Sequence, residues 1–417
     1  MEKLTFTIDG YSFSTAFNTA AKREQCAEKI LSTTGRHYSW YKENTGNKNL
    51  ILYDTEQYEV RNFDDIKYLV LNNRLMDVKT FLCVRRDFKG KLHLPINAST
   101  CSFMFVDINV SEIDLTEFDT TNIVDMDYMF LEADLGDCFS LGSPTNAQAN
   151  TPDRNILTLN TEGVTSMSGM FKDCKVKHLD LNSLRTHNVT DFSDMFCSCN
   201  DLIDLNVDGF DTSNAEDFHG MFQGCIKLTQ LNVKHFNVDN VLHMSCLFSK
   251  CLRLKVIDLE SWNFSQVSDA NEMFAYCEKL EKIIANFNFK MIKEMAFMFC
   301  YCTKLSKVDL SHSDLSHVFD FGYTFFKCEG LKDIRFSQGV WLKAKFTLSM
   351  FDDCKALERL NLPDVILDDV IRSYAMFDDC DNLKEIYMEH PLNLDKYEHE
   401  LIFGNCKAEV KKSTEWQ

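Results

Sequence analysis

The stretch NVTDFSDMFCSCNDLIDLNVDGFDTSN, residues 188–214, contains the motif that decides the fold. A Met-Phe pair, Met195 and Phe196, is followed three residues later by Cys199, and leucines follow at Leu202 and Leu205. The phenylalanine recurs at Phe105, Phe130, Phe171, Phe196, Phe222, Phe248, Phe274, Phe299, Phe325, Phe351, Phe377 and Phe403. The steps are 25 or 26 residues, except for one of 41 that holds an insertion. A period of this length predicts a solenoid of stacked units.

Two apolar spacings alternate within each unit. Around the phenylalanine, apolar residues fall at offsets −7, −4, −1, 0 and +3, which predicts one face of a short α-helix. Asn188, Asn214 and Asn240 lie just ahead of such segments and are predicted to cap the helices. Behind the segment, alternation such as Leu205 and Val207 predicts a short strand with one buried face. The predicted fold is an α/β solenoid: a leucine-rich-repeat horseshoe with a concave parallel β-sheet and short helices on its convex side.

The predicted organisation has three parts. Residues 1–96 do not repeat and are interpreted as a small N-terminal α+β domain that caps the solenoid or carries an accessory function, with strands near 4–13, 49–60 and 81–94 and a helix over 19–34. Residues 97–406 form about twelve repeats, and residues 407–417 form a C-terminal tail. The insertion at 135–155 is rich in Gly, Ser, Asn and Pro, which predicts an exposed loop on the rim.

Ten cysteines share one position in the repeat, three residues after the phenylalanine. Neighbouring helices pack about 8–10 Å apart, whereas a disulfide requires Cα atoms within about 7 Å. We therefore expect buried thiols, with Cys197 and Cys300 facing outward beside them because residues two apart leave a helix on different sides. An odd total of 17 cysteines and the lack of a recognisable secretory signal also favour a reducing location.

Charge restricts the classes of partner. The net charge is −19, and residues 1–96 contribute +3, so the remaining chain is strongly acidic. Nucleic acids and anionic membranes require clustered Lys and Arg, so neither is an expected partner. Since no run of about 18 apolar residues occurs, membrane insertion is not expected either. A neutral or basic protein fits the charge best.

Enzyme motifs were sought without success. The sequence has no phosphate-binding glycine loop, no Gly-x-Ser-x-Gly and no His-Glu-x-x-His. We therefore predict no catalytic site, cofactor or metal.

Residues that flank the buried strand positions are expected to face outward from the concave sheet. They are acidic towards the N-terminal end and mixed to basic further along, which is consistent either with an ordinary solvated sheet or with a polarised docking surface. The candidate partner-binding residues are Asp114, His178, Asp180, Asp204, Asn206, Asp208, Asn232, Asp258, Glu260, Lys282, Lys307, Arg335, Arg359 and Tyr387.

The repeat pattern MFxxCxxLxxLxLxxFDTSNVxxMxxMF resembles the BspA-like leucine-rich repeats of bacterial surface proteins and lipoproteins. FDTTNIVDMDYMF (118–130) and FDTSNAEDFHGMF (210–222) are near-consensus copies, and the resemblance covers roughly residues 98–406. The cysteine position also resembles the cysteine-containing repeats of F-box substrate receptors. The BspA-like resemblance implies a binding protein and, for surface-exposed members, adhesion to host proteins or to other cells.

Together these patterns predict a non-enzymatic scaffold that binds a protein partner through its concave sheet and rim loop. One setting is cytoplasmic, or delivered without a signal peptide, as a binder, inhibitor or effector. The alternative setting is the cell surface, as an adhesin. A third hypothesis makes residues 1–96 a module with its own activity that the repeats target.

Overall fold

A computed structural model describes residues 99–110, 120–141, 159–337, 344–362, 374–388 and 401–416, together with the strand segments outside these ranges. The strands are β1 (Glu2–Ile8), β2 (Tyr11–Phe17), β3 (Leu50–Ile51), β4 (Tyr68–Leu69), β5 (Gly90–Leu92), β6 (Ile113–Asp114), β7 (Asp134–Leu141), β8 (Asn155–Leu157), β9 (Lys175–Asp180), β10 (Asp204–Asn206), β11 (Val256–Leu259), β12 (Lys282–Ala285), β13 (Lys307–Leu310), β14 (Asp333–Phe336), β15 (Arg359–Leu362), β16 (Glu385–Met388) and β17 (Glu409–Lys412).

Strands of successive repeats pair in parallel and in register. Leu179 of β9 is opposite Leu205 of β10, Ile257 of β11 is opposite Ile283 of β12, and the same pattern joins β13 to β14 and β15 to β16. Each pairing joins equivalent positions of neighbouring repeats, so each repeat supplies one rung of a parallel ladder. The chain is a β-solenoid, which confirms the predicted repeat architecture and its parallel sheet.

A continuous column of phenylalanine rings forms the centre of the core. The rings of Phe196 and Phe222 stack with centroids 5.6 Å apart, and those of Phe222 and Phe248 with centroids 5.7 Å apart. Phe130 stacks directly on Phe171 at 5.2 Å, so the long sequence step between them does not interrupt the column. The column extends from Phe105 to Phe403 through every phenylalanine of the repeat.

The predicted convex helices are wrong. The backbone N–H of Met195 donates to the carbonyl of Phe192, three residues back, whereas the next N–H, that of Phe196, donates to the carbonyl of Met221 in the following repeat. Asp194 and Ser198 on either side have positive φ values of 56° and 59°. An α-helix would bond each N–H four residues back and keep φ negative throughout. The segment is therefore a series of tight turns that stack on one another, and among the described residues α-helical backbone occurs only at 401–403.

The asparagines predicted to cap helices have another role. The side-chain Nδ2 of Asn188 donates to the carbonyl of Glu162 at 2.8 Å, that of Asn214 to His187 at 2.6 Å and that of Asn240 to Ser213 at 2.9 Å. An N-cap would instead accept a bond from its own helix. These side chains join one repeat to the preceding repeat.

The cysteine position is buried as predicted, and it carries a hydrogen bond as well. Cys199 Sγ lies 3.0 Å from the carbonyl oxygen of Phe171 in the preceding repeat, and Cys225 Sγ lies 3.3 Å from that of Phe196. Equivalent bonds recur from Cys174 to Cys380. Cysteine suits the position because it is small and apolar and still offers a weak donor. All cysteines of the described residues are free thiols.

The expected outward orientation of Cys197 and Cys300 is wrong. Their exposed fractions are 5% and 1%, and burial raises the pKa of the Cys300 thiol to about 12. The prediction assumed helical geometry, in which residues two apart diverge. In the stacked turns the next repeat covers this position, and Cys197 Sγ lies 3.6 Å from Gln223 Oε1 of that repeat.

The insertion begins as a strand and differs there from the predicted loop. Strand β7 lies between β9 and β8 in the sheet, with Phe139 opposite Leu179. Leu135 and Phe139 are both buried. A β-bulge between Asp134 and Gly136 interrupts the regular register at the start of this strand. Residues 142–154 lie outside the described part of the chain.

Only short strands of the N-terminal segment are described. Strands β1 and β2 form an antiparallel pair, and β3 pairs with β2. Strand β5 pairs in parallel with β4 and with β6. The predicted helix over 19–34 lies outside the described residues. At the other end of the chain, the tail contributes strand β17, which pairs in parallel with β16.

Candidate functional site

The parallel strands present one row of side chains away from the core, which we call the sheet face. His178 and Asp180 of β9 flank the buried Leu179, and Asp204 and Asn206 of β10 flank the buried Leu205. Because successive residues of a strand point to opposite sides, these four side chains share the outward side. In-register pairing sets Asp204 beside His178 and Asn206 beside Asp180.

Most of the candidate residues are exposed or half-buried, and their role in binding a partner stays a prediction. His178, Asp204, Asp208, Asn232, Glu260, Lys282, Lys307, Arg335 and Arg359 are exposed, and Asp180, Asn206 and Asp258 are half-buried. Asp114 lies in strand β6, opposite Lys91 of β5, and its side chain is outside the described residues. Tyr387 differs, because it is only 4% exposed.

Three carboxylates on neighbouring rungs form what we call the acidic end: Asp180, Asp204 and Asp208. Their described partners carry no permanent positive charge. Asn206 Nδ2 donates to Asp180 Oδ1 at 3.0 Å, and Asn232 Nδ2 donates to Asp208 Oδ1 at 2.8 Å. Asp204 lies 3.9 Å from His178 Nδ1, an ion pair only when the imidazole is protonated. Among the described residues no Lys or Arg forms an ion pair with the acidic end.

The first basic residue beyond the acidic end is already paired. Lys234 Nζ lies 3.1 Å from Asp258 and 2.9 Å from Glu260. The backbone N–H of Glu260, which donates to Asp258, and the ammonium of Lys234 hold the pKa of the Asp258 carboxyl below its usual range. Lys234 therefore forms ion pairs with both carboxylates within the face.

Basic residues on the later rungs of the sheet face are also paired with carboxylates. Lys307 lies 3.1 Å from Asp333, and Arg359 Nε lies 3.0 Å from Glu385. Glu385 also bonds Lys411 at 2.5 Å, and this ammonium, together with the Tyr387 hydroxyl, lowers the pKa of Glu385 to about 2. Exposed ion pairs of this kind add little to stability, because solvent screens them. Their main effect is to leave the acidic end as the part of the face with uncompensated charge.

Tyr387 is covered by the C-terminal tail. The ring of Trp416 meets that of Tyr387 edge to face, with centroids 5.0 Å apart. Arg359 lies over both rings, 5.3 Å from the Tyr387 centroid and 4.7 Å from the Trp416 centroid. The Tyr387 hydroxyl donates to Glu385 at 2.7 Å. The tail thus closes this end of the sheet face and leaves Tyr387 little surface to offer a partner.

A shallow groove of about 200 Å³ opens within the acidic end. Its lining includes Cys138, His178, Asp180, Asp204 and Asn206. Cys138 was not among the sequence candidates, because the insertion at 135–155 was predicted to be an exposed loop. Phe139 was the available signal: it lies nine residues after Phe130, as Leu205 lies nine after Phe196.

A second, larger cavity of about 470 Å³ lies away from the sheet strands. It is lined by Asn188, Thr190, Asn214, Glu216, Asn240 and Leu242. The three asparagines already bond the preceding repeats. The cavity is therefore formed by equivalent positions of three successive repeats, and its lining contains no catalytic combination of side chains.

The described residues also bear on metal binding and on membrane insertion. No group of three or more His, Cys, Asp or Glu side chains in that part of the chain is arranged to hold a metal ion. No helix in the same residues has the length and apolarity needed to cross a membrane. The absence of catalytic activity stays a prediction.

Similar folds occur in bacterial proteins of known structure. A leucine-rich repeat protein from Bacteroides ovatus ATCC 8483 is 15% identical, covering 89% of this chain and 90% of its own, with a TM-score of 0.36. One from Eubacterium ventriosum ATCC 27560 is 13% identical, covering 79% and 91%, with a TM-score of 0.31. A leucine-rich cell surface protein from Faecalibacterium prausnitzii A2-165 is 13% identical, covering 66% and 88%, with a TM-score of 0.28.

None of the curated proteins compared with the chain matches it. A family model does match, over residues 97–137 and over the overlapping segments 145–230, 199–309, 242–362 and 278–391. These segments take in most of the repeats and more than half of the chain. The chain therefore belongs to the family described as "Mycoplasma protein of unknown function, DUF285".

Proposed function

We propose that the chain is a non-enzymatic protein-binding scaffold whose acidic end docks a neutral or basic protein. The observation that carries the proposal is the unequal charge balance of the sheet face. Lys234, Lys307 and Arg359 each have a carboxylate partner on the face, whereas Asp180, Asp204 and Asp208 have no described Lys or Arg partner. Uncompensated charge on an exposed surface steers oppositely charged partners and selects against like-charged ones.

The rigidity of the ladder supports this role. Neighbouring strands lie about 4.7–4.9 Å apart, and the hydrogen bonds between repeats hold each rung in register. Asp208 accepts a hydrogen bond from Asn232, and Asp204 lies 3.9 Å from His178. These contacts with neighbouring rungs limit the motion of both carboxylates. Little conformational entropy is then lost when a partner binds, so a modest contact area yields useful affinity.

The setting in which the scaffold works has two versions. In the first it is a cytoplasmic binder, inhibitor or effector delivered without a signal peptide, which the free thiols at the repeated cysteine position favour. In the second it is a surface adhesin, as the resemblance to BspA-like repeats implies. A third possibility assigns a separate activity to residues 1–96. In each of these three hypotheses the repeats bind the partner.

The test begins with a partner that copurifies with the chain from its native host. Its affinity is then measured for the wild-type chain and for a variant with Asp180→Lys, Asp204→Lys and Asp208→Lys. We expect an affinity loss of about 100-fold or more, since opposed charges become like charges at the contact. Asp204 and Asp208 are exposed, and exposed substitutions usually change stability by less than about 0.5 kcal/mol each. Asp180 is half-buried and accepts a hydrogen bond from Asn206, so the unfolding temperature of the variant is measured together with its affinity.

The control variant changes the same number of charges elsewhere. Glu216→Lys, Glu278→Lys and Asp381→Lys alter three exposed carboxylates that lie outside the strands. Asp194 and Asp217 are unsuitable, because Asp194 bonds Lys172 at 2.6 Å and Asp217 accepts the His219 N–H at 2.7 Å. A control variant that loses the partner while the sheet-face variant keeps it would refute the proposed site. If both variants bind normally, residues 1–96 or the insertion become the docking region.

A further inference from the structure

Three chemically complementary side chains lie on adjacent strands of the sheet face. Cys138 of β7 is opposite His178 of β9, and His178 is opposite Asp204 of β10. The residues that follow them, Phe139, Leu179 and Leu205, are all buried. Cys138, His178 and Asp204 therefore share the outward side of the sheet, in the order thiol, imidazole, carboxylate.

The strand register suits a thiol with a neighbouring base. Cys138 and His178 are opposite each other on adjacent strands about 4.7–4.9 Å apart, so the imidazole of His178 is within reach of the thiol of Cys138. His178 Nδ1 lies 3.9 Å from Asp204 Oδ2, which allows the carboxylate to stabilise a protonated imidazole. All three side chains line the groove of about 200 Å³, which admits a small molecule.

Cys138 differs from the other cysteines of the described residues. All of them are buried except Cys138 and Cys246, which are partly exposed. Burial raises the pKa of the Cys246 thiol to about 12, and Glu272 and Asp269 add to the effect. Burial likewise raises the pKa of the Cys251 thiol to about 12. Thiols of this kind hold almost no thiolate at neutral pH, and the thiolate is the reacting species.

We propose that Cys138 is a reactive thiol that exchanges with small cationic disulfides, with His178 as its base and Asp204 as the positioning residue for His178. His178 takes the thiol proton, and the Cys138 thiolate attacks one sulfur of the disulfide. The disulfide bond of the small molecule breaks as a new bond forms between Cys138 and the attacked sulfur. The other half leaves as a thiolate and receives the proton from His178. Cys138 is oxidised and the departing thiol is the reduced product.

The preference for a cation follows from the charges around the groove. Asp180 and Asp204 line it, and Asp208 lies on the same face. The nearby Lys177 bonds Asp137 at 2.9 Å, so its charge is balanced. An ammonium group on the incoming disulfide is attracted, and a carboxylate is repelled. This inference does not depend on protein docking, because it concerns the groove alone.

The experiment uses the full chain with cystamine, which has an ammonium group at each end, and with 3,3′-dithiodipropionate, which has a carboxylate at each end. Peptide mapping under acid quench identifies the first cysteine modified, and each rate is divided by the rate of the same reagent with N-acetylcysteine. We expect the first adduct at Cys138 and a normalised preference for cystamine of about tenfold or more. Cys138→Ser should lose that adduct, and Cys246→Ser should retain it.

Variants separate the base from a structural role. His178→Asn should slow the reaction of Cys138 with cystamine by about tenfold and change the pH dependence of the rate, because the base is removed. Asp204→Asn should slow the reaction less, because the protonated imidazole loses its carboxylate neighbour, and Asp204→Glu should restore the rate in part. A first adduct at another cysteine, or a His178→Asn rate and pH profile equal to wild type, would overturn the proposal. Cys138→Ser should still bind the protein partner, so the two proposals fail independently.

Discussion

The ring of Phe222 stacks on the ring of Phe248 with centroids 5.7 Å apart and planes within 2° of parallel. The two residues are equivalent positions of successive repeats, and both are fully buried. Each ring is therefore stacked between the rings of the preceding and the following repeat. Contacts between nearest-neighbour repeats stabilise the array.

Phe222→Ala should remove a ring from the middle of this column and lower the free energy of unfolding by about 3–5 kcal/mol, as other large-to-small changes in cores do. Phe403→Ala removes the last ring of the column, stacked on Phe377 at 5.2 Å, and should cost less. Urea titrations of both variants measure the difference. Equal losses would argue against a stack in which each repeat depends on its neighbours.

Lys250→Gly distinguishes stacked turns from the helix that the sequence spacing predicted. Lys250 is exposed and has a φ of 60°, a left-handed conformation that costs a residue with a side chain about 1–2 kcal/mol. Glycine should relieve that cost and stabilise the chain by about 1 kcal/mol. In a helix the same change would destabilise by about 1 kcal/mol.

Arg253→Gly is the matched control for Lys250→Gly. Arg253 is exposed in the same repeat and is not among the residues of positive φ. Glycine there should lower the urea midpoint through the greater freedom of the unfolded chain. A loss of stability in Lys250→Gly as large as that in Arg253→Gly would contradict the turn geometry.

The sequence predicted the repeat and the parallel sheet but not the stacked turns. The phenylalanine period and the alternation at Leu205 and Val207 predicted stacked units with a parallel sheet, because both signals depend on burial alone. Apolar residues three and four apart fit a helix and a series of three-residue turns equally well. The turns are distinguished by left-handed residues, which Gly220 and Gly224 mark in one repeat but Asp194 and Ser198 do not mark in the preceding one.

For the candidate site, the sequence predicted the exposed strand positions but not the contacts between distant parts of the chain. Exposed positions such as Asp204 and Lys307 followed from strand alternation, since alternation is a local property of the backbone. The burial of Tyr387 under Trp416 depends on a contact with the tail, which no local pattern contains. Cys138 was missed because the Gly-, Ser- and Asn-rich insertion predicted a loop, whereas its first residues pair with β9 as a strand that begins with a bulge.

Asp352 should make stability depend on pH. Burial, together with the neighbouring Asp378, Asp353 and Asp379, raises the pKa of this half-buried carboxyl to about 6, whereas an unfolded Asp titrates near 3.9. The folded chain therefore binds this proton more tightly, and the charged form is unfavourable above pH 6. Asp352→Asn should stabilise the chain at pH 8, and the advantage should shrink as the pH falls through 6 and disappear near pH 4.

Urea titrations of wild type and Asp352→Asn at pH 8 and pH 4 provide the measurement. Asp381→Asn serves as the control, since Asp381 is exposed and its replacement should alter stability little at either pH. An Asp352→Asn variant that is less stable than wild type at pH 8 would show that this carboxylate contributes a favourable contact that outweighs its burial.

Carboxylate footprinting tests the docking proposal most directly. The chain is treated with a water-soluble carbodiimide and glycine ethyl ester, alone and bound to its partner, and labelling is quantified at each Asp and Glu by mass spectrometry. The proposal predicts that the partner reduces labelling of Asp180, Asp204 and Asp208 several-fold and leaves Glu216, Glu278 and Asp381 unchanged. Docking on the sheet face would be contradicted if labelling of the acidic end stayed unchanged in the complex while Glu216, Glu278 and Asp381 were protected instead.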